Sequence, residues 1–140
     1  MKKAIAVIDG MGGGIGVQLI AKLKDIIGRD AEIVALGTNA VAVERMIRAG
    51  AHRGGAGENA LKVSVKTMDF ILGPIGIVIP NSMMGEVTAA MTEAILDAPG
   101  ERILLPLQNE HFTLAGVESQ PLAKAVEKAA ELMEERLNER

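Results

Sequence analysis

The stretch that most constrains this chain is Asp9-Gly10-Met11-Gly12-Gly13-Gly14-Ile15-Gly16, which lies between two different apolar patterns. Before it runs Ala4-Ile5-Ala6-Val7-Ile8, apolar without alternation, as a strand covered on both faces requires. After it, Leu19, Ile20, Leu23, Ile26 and Ile27 follow helical spacing from Val17 to Ile27, and Gly28 supplies a stop. A strand, a glycine turn and a helix start in that order commit the chain to a βα unit. The same order makes a place for an anion. Glycines let the backbone approach a ligand with no Cβ in the way, and free N–H groups at the positive end of a helix attract negative charge. The alternative use of these glycines is structural, a tight turn that lets helix and strand pack closely.

The alternation continues. Glu32 to Leu36 reads as a second strand, and Gly37-Thr38-Asn39 offers two capping side chains before a helix carrying Val43, Met46 and Ile47. A short strand is expected near Ala51 to Arg53, then a helix from Ala60 to Lys66 and a buried strand from Asp69 to Leu72, broken by Gly73-Pro74. Ile75-Gly76-Ile77-Val78-Ile79-Pro80 is either a strand continuation or an apolar loop beside a ligand or a subunit contact. Asn81 or Ser82 caps the next expected helix, where Met84, Val87, Met91 and Ile95 recur, and Pro99-Gly100 ends it. Arg102 to Leu107 is a strand, Gln108 to His111 a polar turn, and Phe112 to Val117 a further strand, either parallel or antiparallel. Pro121 starts a last helix with Leu122, Val126, Ala129, Met133 and Leu137 in one stripe. Repeated βα units favour right-handed crossovers and a parallel sheet. The expectation is one α/β domain over residues 1–140, a three-layer Rossmann-like open sheet of five to six mostly parallel strands with helices on both faces.

Composition narrows the function. Basic and acidic side chains, 15 and 18, are dispersed and leave a net charge of −3, which argues against a nucleic-acid partner. With two Phe and neither Tyr nor Trp, there are no base-stacking platforms and no tyrosine acid/base. The absence of cysteine excludes disulfides, thiolate metal sites and a cysteine nucleophile. Phe70 to Pro80, the longest apolar run, is too short to cross a membrane, and Lys2 and Lys3 lack a following signal-peptide core. A cytoplasmic protein with no membrane partner is expected.

Gly10, Gly14 and Gly16 spell G-x-x-x-G-x-G, while G-x-G-x-x-G fails because Ile15 stands where its last glycine belongs. Gly14-Ile15-Gly16 resembles the cofactor loop of short-chain dehydrogenases, a likeness confined to the first strand, loop and helix and the second strand. The Tyr-x-x-x-Lys pair of that family has no counterpart here. The place for a ribose-binding acid, roughly twenty residues past the loop, falls at Gly37-Thr38-Asn39, which has no carboxylate. Thr38 and Asn39 either bond a ribose or 2′-phosphate, or cap the helix.

A second resemblance runs nearly end to end. Ile8 to Gly16, Ala35-Leu36-Gly37-Thr38-Asn39, Gly57-Glu58-Asn59-Ala60, Gly73-Pro74-Ile75-Gly76 and Asn81-Ser82-Met83-Met84-Gly85-Glu86 resemble a family of small single-domain prokaryotic proteins with no assigned function. It implies a compact one-domain protein and supplies no activity or established site residues.

In an open parallel sheet, ligands bind outside the carboxyl ends of the strands. Asp9 to Gly16, Gly37 to Asn39, Gly73 to Gly76 with Asn81-Ser82, and Gln108 to His111 all follow expected strands and should converge on one rim. The leading expectation is a nucleotide cofactor, first NAD(P) and then FMN or FAD. The amides of Gly12, Gly13, Gly14, Ile15 and Gly16 would hold its pyrophosphate, with Asp9, Gly10 and Met11 completing the loop. Thr38 and Asn39 would meet the adenosine side, and Gly73, Pro74, Ile75, Gly76, Asn81 and Ser82 the other half. Asp9 either faces the cofactor or bonds the loop's own N–H groups. No lysine-serine/threonine phosphate loop is present, no residue set identifies a proton donor, and whether the chain is an enzyme is left open. Two alternatives stand beside this reading. One is a non-enzymatic ligand-sensing or scaffold subunit forming homo-oligomers through Ile75 to Pro80 and the methionine-bearing helix after it. The other is a small sugar-phosphate or phosphoryl-handling enzyme using Arg53 and Gly54-Gly55-Ala56-Gly57, a loop that serves as anion nest, lid or plain connection. His52 and His111 are the only imidazoles, either general bases or surface and capping groups. The methionines, Met11, Met83 and Met84 among them, either fill the core or seal a ring or a subunit contact.

Overall fold

The unalternating apolar strands obtain cover on both faces. In a computed structural model that describes residues 2–107 and 112–139, the elements are β1 (Lys3–Asp9), α1 (Gly14–Ile27), β2 (Ala31–Gly37), α2 (Ala40–Arg48), β3 (Arg53–Ala56), α3 (Glu58–Ser64), β4 (Phe70–Pro74), α4 (Ala89–Asp97), β5 (Glu101–Leu105) and α5 (Leu122–Asn138). The strands form one sheet in the order β3-β2-β1-β4-β5, and every pairing is parallel. Ile5, Val7, Ile33, Ala35, Phe70 and Leu72 point to the face covered by α1, α2 and α5. Ala6, Ile8, Val34, Leu36 and Ile71 point to the other, against Leu61, Val65, Met91 and Ile95 from α3, the turn after it and α4. This is the expected three-layer Rossmann-like sheet. The order in which strands are added reverses at β1: successive strands run outward through β2 and β3, whereas β4 and β5 lie on the other side. The crevice between the carboxyl ends of β1 and β4 is therefore the switch point.

Several expectations are corrected. Among the described residues the sheet has five strands, and 112–117 contributes none; Gln108 to His111 lie outside the described residues. The edge strand β3 runs through the second glycine stretch rather than before it. A Cβ on Gly54 would stand 2.7 Å from the Ala35 carbonyl oxygen and 2.8 Å from Val43, so glycine is what lets β3 lie against β2 beneath α2. Gly54 to Ala56 are thus sheet, neither nest nor lid, and Arg53 pairs with Glu32 at 3.0 Å, three residues down the strand from the rim. Finally, α4 begins at Ala89, where the Thr88 hydroxyl accepts from the Met91 N–H at 3.2 Å. Asn81 and Ser82 do not cap it. Ile75–Val78 is a 3-10 turn, not a strand continuation; its Ile77 is buried in the chain's own core, while Ile75, Val78 and Ile79 are partly buried and Pro80 is exposed.

Candidate functional site

Asp9 organises the first loop. It is the last residue of β1, 4% exposed, and its carboxylate accepts from the Gly10 and Gly16 N–H groups, both at 2.8 Å. Burial pushes its pKa above the ordinary 3.8, opposed by the bonds from Gly16, Gly10 and Ile15, with Glu86 adding to the rise. The loop turns through Gly13 at φ 74°, a left-handed conformation that glycine adopts without penalty, and the Gly13 N–H donates to the Gly10 carbonyl at 2.9 Å. Gly16 is a packing glycine, since a Cβ there would run into the Met46 sulfur. Gly12 and Gly14 differ. Both are exposed, a Cβ on Gly14 would meet nothing within 4 Å, and neither amide donates to any described residue. The Arg45 guanidinium of α2 sits beside Gly12, donating to its carbonyl at 2.9 Å.

The loop after β2 meets the first. Asn39 caps α2, its side-chain oxygen accepting from the Ala42 N–H at 2.9 Å, and its amide donates to the Met11 carbonyl at 3.0 Å. Both Thr38 and Asn39 also reach Glu86, a residue not singled out from the sequence as part of the site. The Glu86 carboxylate accepts from the Thr38 hydroxyl at 2.6 Å, the Met11 N–H at 2.8 Å and the Asn39 amide at 2.9 Å. Those bonds, the Thr38 hydroxyl first, hold its pKa below the ordinary 4.5 against the opposing effect of burial.

The loop after β4 delivers Glu86. Gly73 and Pro74 are buried at the end of β4, and a Cβ on Gly73 would crowd the Ile8 backbone and Ile77, so these two build the rim without facing it. Ile75 and Gly76 are partly buried, and the Ser82 hydroxyl donates to the Gly76 carbonyl. Met83 covers Gly10, where a Cβ would lie 2.7 Å from its sulfur. The three described loops thus come together, and Arg45, Met83 and Glu86 join them. His52 does not: it accepts from the Ile33 N–H at 3.0 Å ahead of β3. His111 lies outside the described residues. Among the described residues no group of three or more side chains is placed to hold a metal, and no helix is long and apolar enough to cross a membrane.

A family profile described as a domain of unknown function (DUF3842) matches residues 4–138. The chain belongs to this family. The end-to-end resemblance to small proteins without an assigned function agrees with that membership. No curated protein matches the sequence. Among solved structures, the chain is similar to a dodecameric FMN-dependent UbiX-like decarboxylase from Escherichia coli O157:H7, at 15% identity and a TM-score of 0.46, over 97% of this chain and 76% of that one.

Proposed function

We propose that the chain binds a phosphate-bearing nucleotide at the carboxyl end of β1, with the phosphate on the amides of Gly12 and Gly14 at the start of α1. The observation that carries this is the state of those two amides. They belong to exposed residues, are unpartnered among the described residues and lie at a helix N-terminus, with the Arg45 guanidinium on the Gly12 carbonyl. Asp9 already occupies the inner amides of Gly10 and Gly16, so the ligand takes the outer ones. Burial and these bonds commit Asp9 to the loop, so the reading is one of binding, with no catalytic residue assigned. NAD(P) is the first candidate, FMN and FAD the next; all present a phosphate to the same two amides.

A thermal-shift panel with NAD, NADH, NADP, NADPH, FMN, FAD and ATP tests the reading. A ligand at about a hundred times its dissociation constant stabilises the native state by roughly 2.7 kcal/mol. Gly14→Asp is the matched control. Its side chain enters open space, and an acid in the first turn favours α1, so the variant folds while repelling a phosphate. The expected result is a shift with one nucleotide class that disappears in Gly14→Asp. No shift with any ligand, or one that survives Gly14→Asp, contradicts the site.

A further inference from the structure

The remaining rim donors already hold an anion, and it belongs to the chain. One oxygen of Glu86 accepts from Met11, Thr38 and Asn39, donors from two different strand ends. Charged oxygens held by converging N–H and O–H groups are how proteins hold a phosphate oxygen. The segment that delivers this carboxylate is under backbone strain. Asn81, Met83 and Met84 have φ of 68°, 57° and 57°, and Gly85 follows at 88°. Side chains rarely adopt such conformations, which persist only where surrounding contacts enforce them. Met84 is 91% exposed, so its own packing enforces nothing. Part of the hold is local: the Gly85 N–H donates to the Asn81 and Ser82 carbonyls, the Glu86 N–H to the Met83 carbonyl, the Val87 N–H to the Ser82 carbonyl and the Asn81 N–H to the Val87 carbonyl. What ties the segment to the rim is the Glu86 bonds, the Ser82 hydroxyl on Gly76 and Met83 over Gly10.

We propose that residues 81–86 are a displaceable strap whose Glu86 carboxylate stands in for one phosphate of a diphosphate ligand. The proposal rests on the reading that a phosphate-bearing ligand binds this rim, and it adds what the second phosphate does. Met11 and Gly12 are consecutive, so their amides serve adjacent phosphates. One phosphate lies on Gly12 and Gly14; the next displaces Glu86 from Met11, Thr38 and Asn39. Ligand and strap compete for the same donors.

Two variants weaken the strap by unrelated routes. Glu86→Ala removes the competing carboxylate. Gly85→Ala adds a methyl that meets nothing within 4 Å but is disfavoured at φ 88°, penalising the strapped conformation alone. Hydrogen exchange at the Met11 amide reports the strap directly, and calorimetric titration with pyrophosphate, ADP-ribose and inorganic phosphate reports the competition. In both variants the Met11 amide is expected to exchange faster, with pyrophosphate and ADP-ribose binding roughly tenfold tighter than to wild type. Inorganic phosphate, which needs only the outer amides, should gain little. Unchanged Met11 exchange in Glu86→Ala overturns the strap. Diphosphate binding that is equal or weaker in both variants overturns the competition and makes Glu86 a bystander or a ligand contact, while the phosphate-binding reading stands. If no probe binds any of the three proteins, reading and proposal fall together.

Discussion

At the scale of single residues, two carboxylates divide the work of the rim. Asp9 turns inward and takes the place an anion takes at a helix start; Glu86 turns toward the loops and caps them. Truncating Asp9 leaves buried amides without an acceptor, at about 1–3 kcal/mol for each. Asp9→Ala should therefore be clearly less stable than wild type in urea unfolding. Their pH dependences have opposite signs. The folded chain holds the Asp9 proton more tightly than the unfolded chain does, so this group stabilises most below its ordinary 3.8, and its contribution falls as pH rises toward its raised value. Glu86 is shifted down, so its contribution is present above 4.5 and is lost as pH falls through its lowered value. Unfolding profiles should show the advantage of wild type over Asp9→Asn shrinking above 3.8, and its advantage over Glu86→Ala shrinking below 4.5. Asp9 was legible in the sequence because its partners are its neighbours. Glu86 was not, because Met11, Thr38 and Asn39 lie 75, 48 and 47 residues away and no spacing rule links them.

At the scale of elements, the strand–loop–helix opening was legible because its apolar period changes sharply at the glycines. The start of α4 was not. Val87 is buried and continues the Met91–Ile95 stripe, although it precedes the helix, so the pattern extends the helix backward over the strap. The structure puts the cap at Thr88, and Thr88→Ala should cost about 1 kcal/mol of stability. Asn81→Gly, at φ 68°, should leave helix content unchanged by circular dichroism and cost nothing in stability. The reverse outcome would return the cap to Asn81. The edge strand β3 was obscured for a related reason. Its glycines read as a loop, yet Gly54 is demanded by contact with Ala35 and Val43.

At the scale of the molecule, repeated βα units and the handedness of their crossovers were enough to expect a parallel sheet with a ligand rim at its carboxyl edge. The extra strand expected at 112–117 fails because that stretch presents exposed residues such as Val117 and turns at Gly116, φ 83°. An opposite-edge cavity of about 550 Å³, lined by Lys66, Asp69, Gly100, Glu101 and Arg102, is the competing location for a polar ligand. Amide chemical shifts of the ¹⁵N-labelled chain titrated with ADP-ribose separate the two most directly. Binding at the rim gives saturable shifts centred on Met11, Gly12, Gly14 and Arg45, with the residues of the strap following. Shifts confined to 66–69 and 100–102, or none at all, would contradict it.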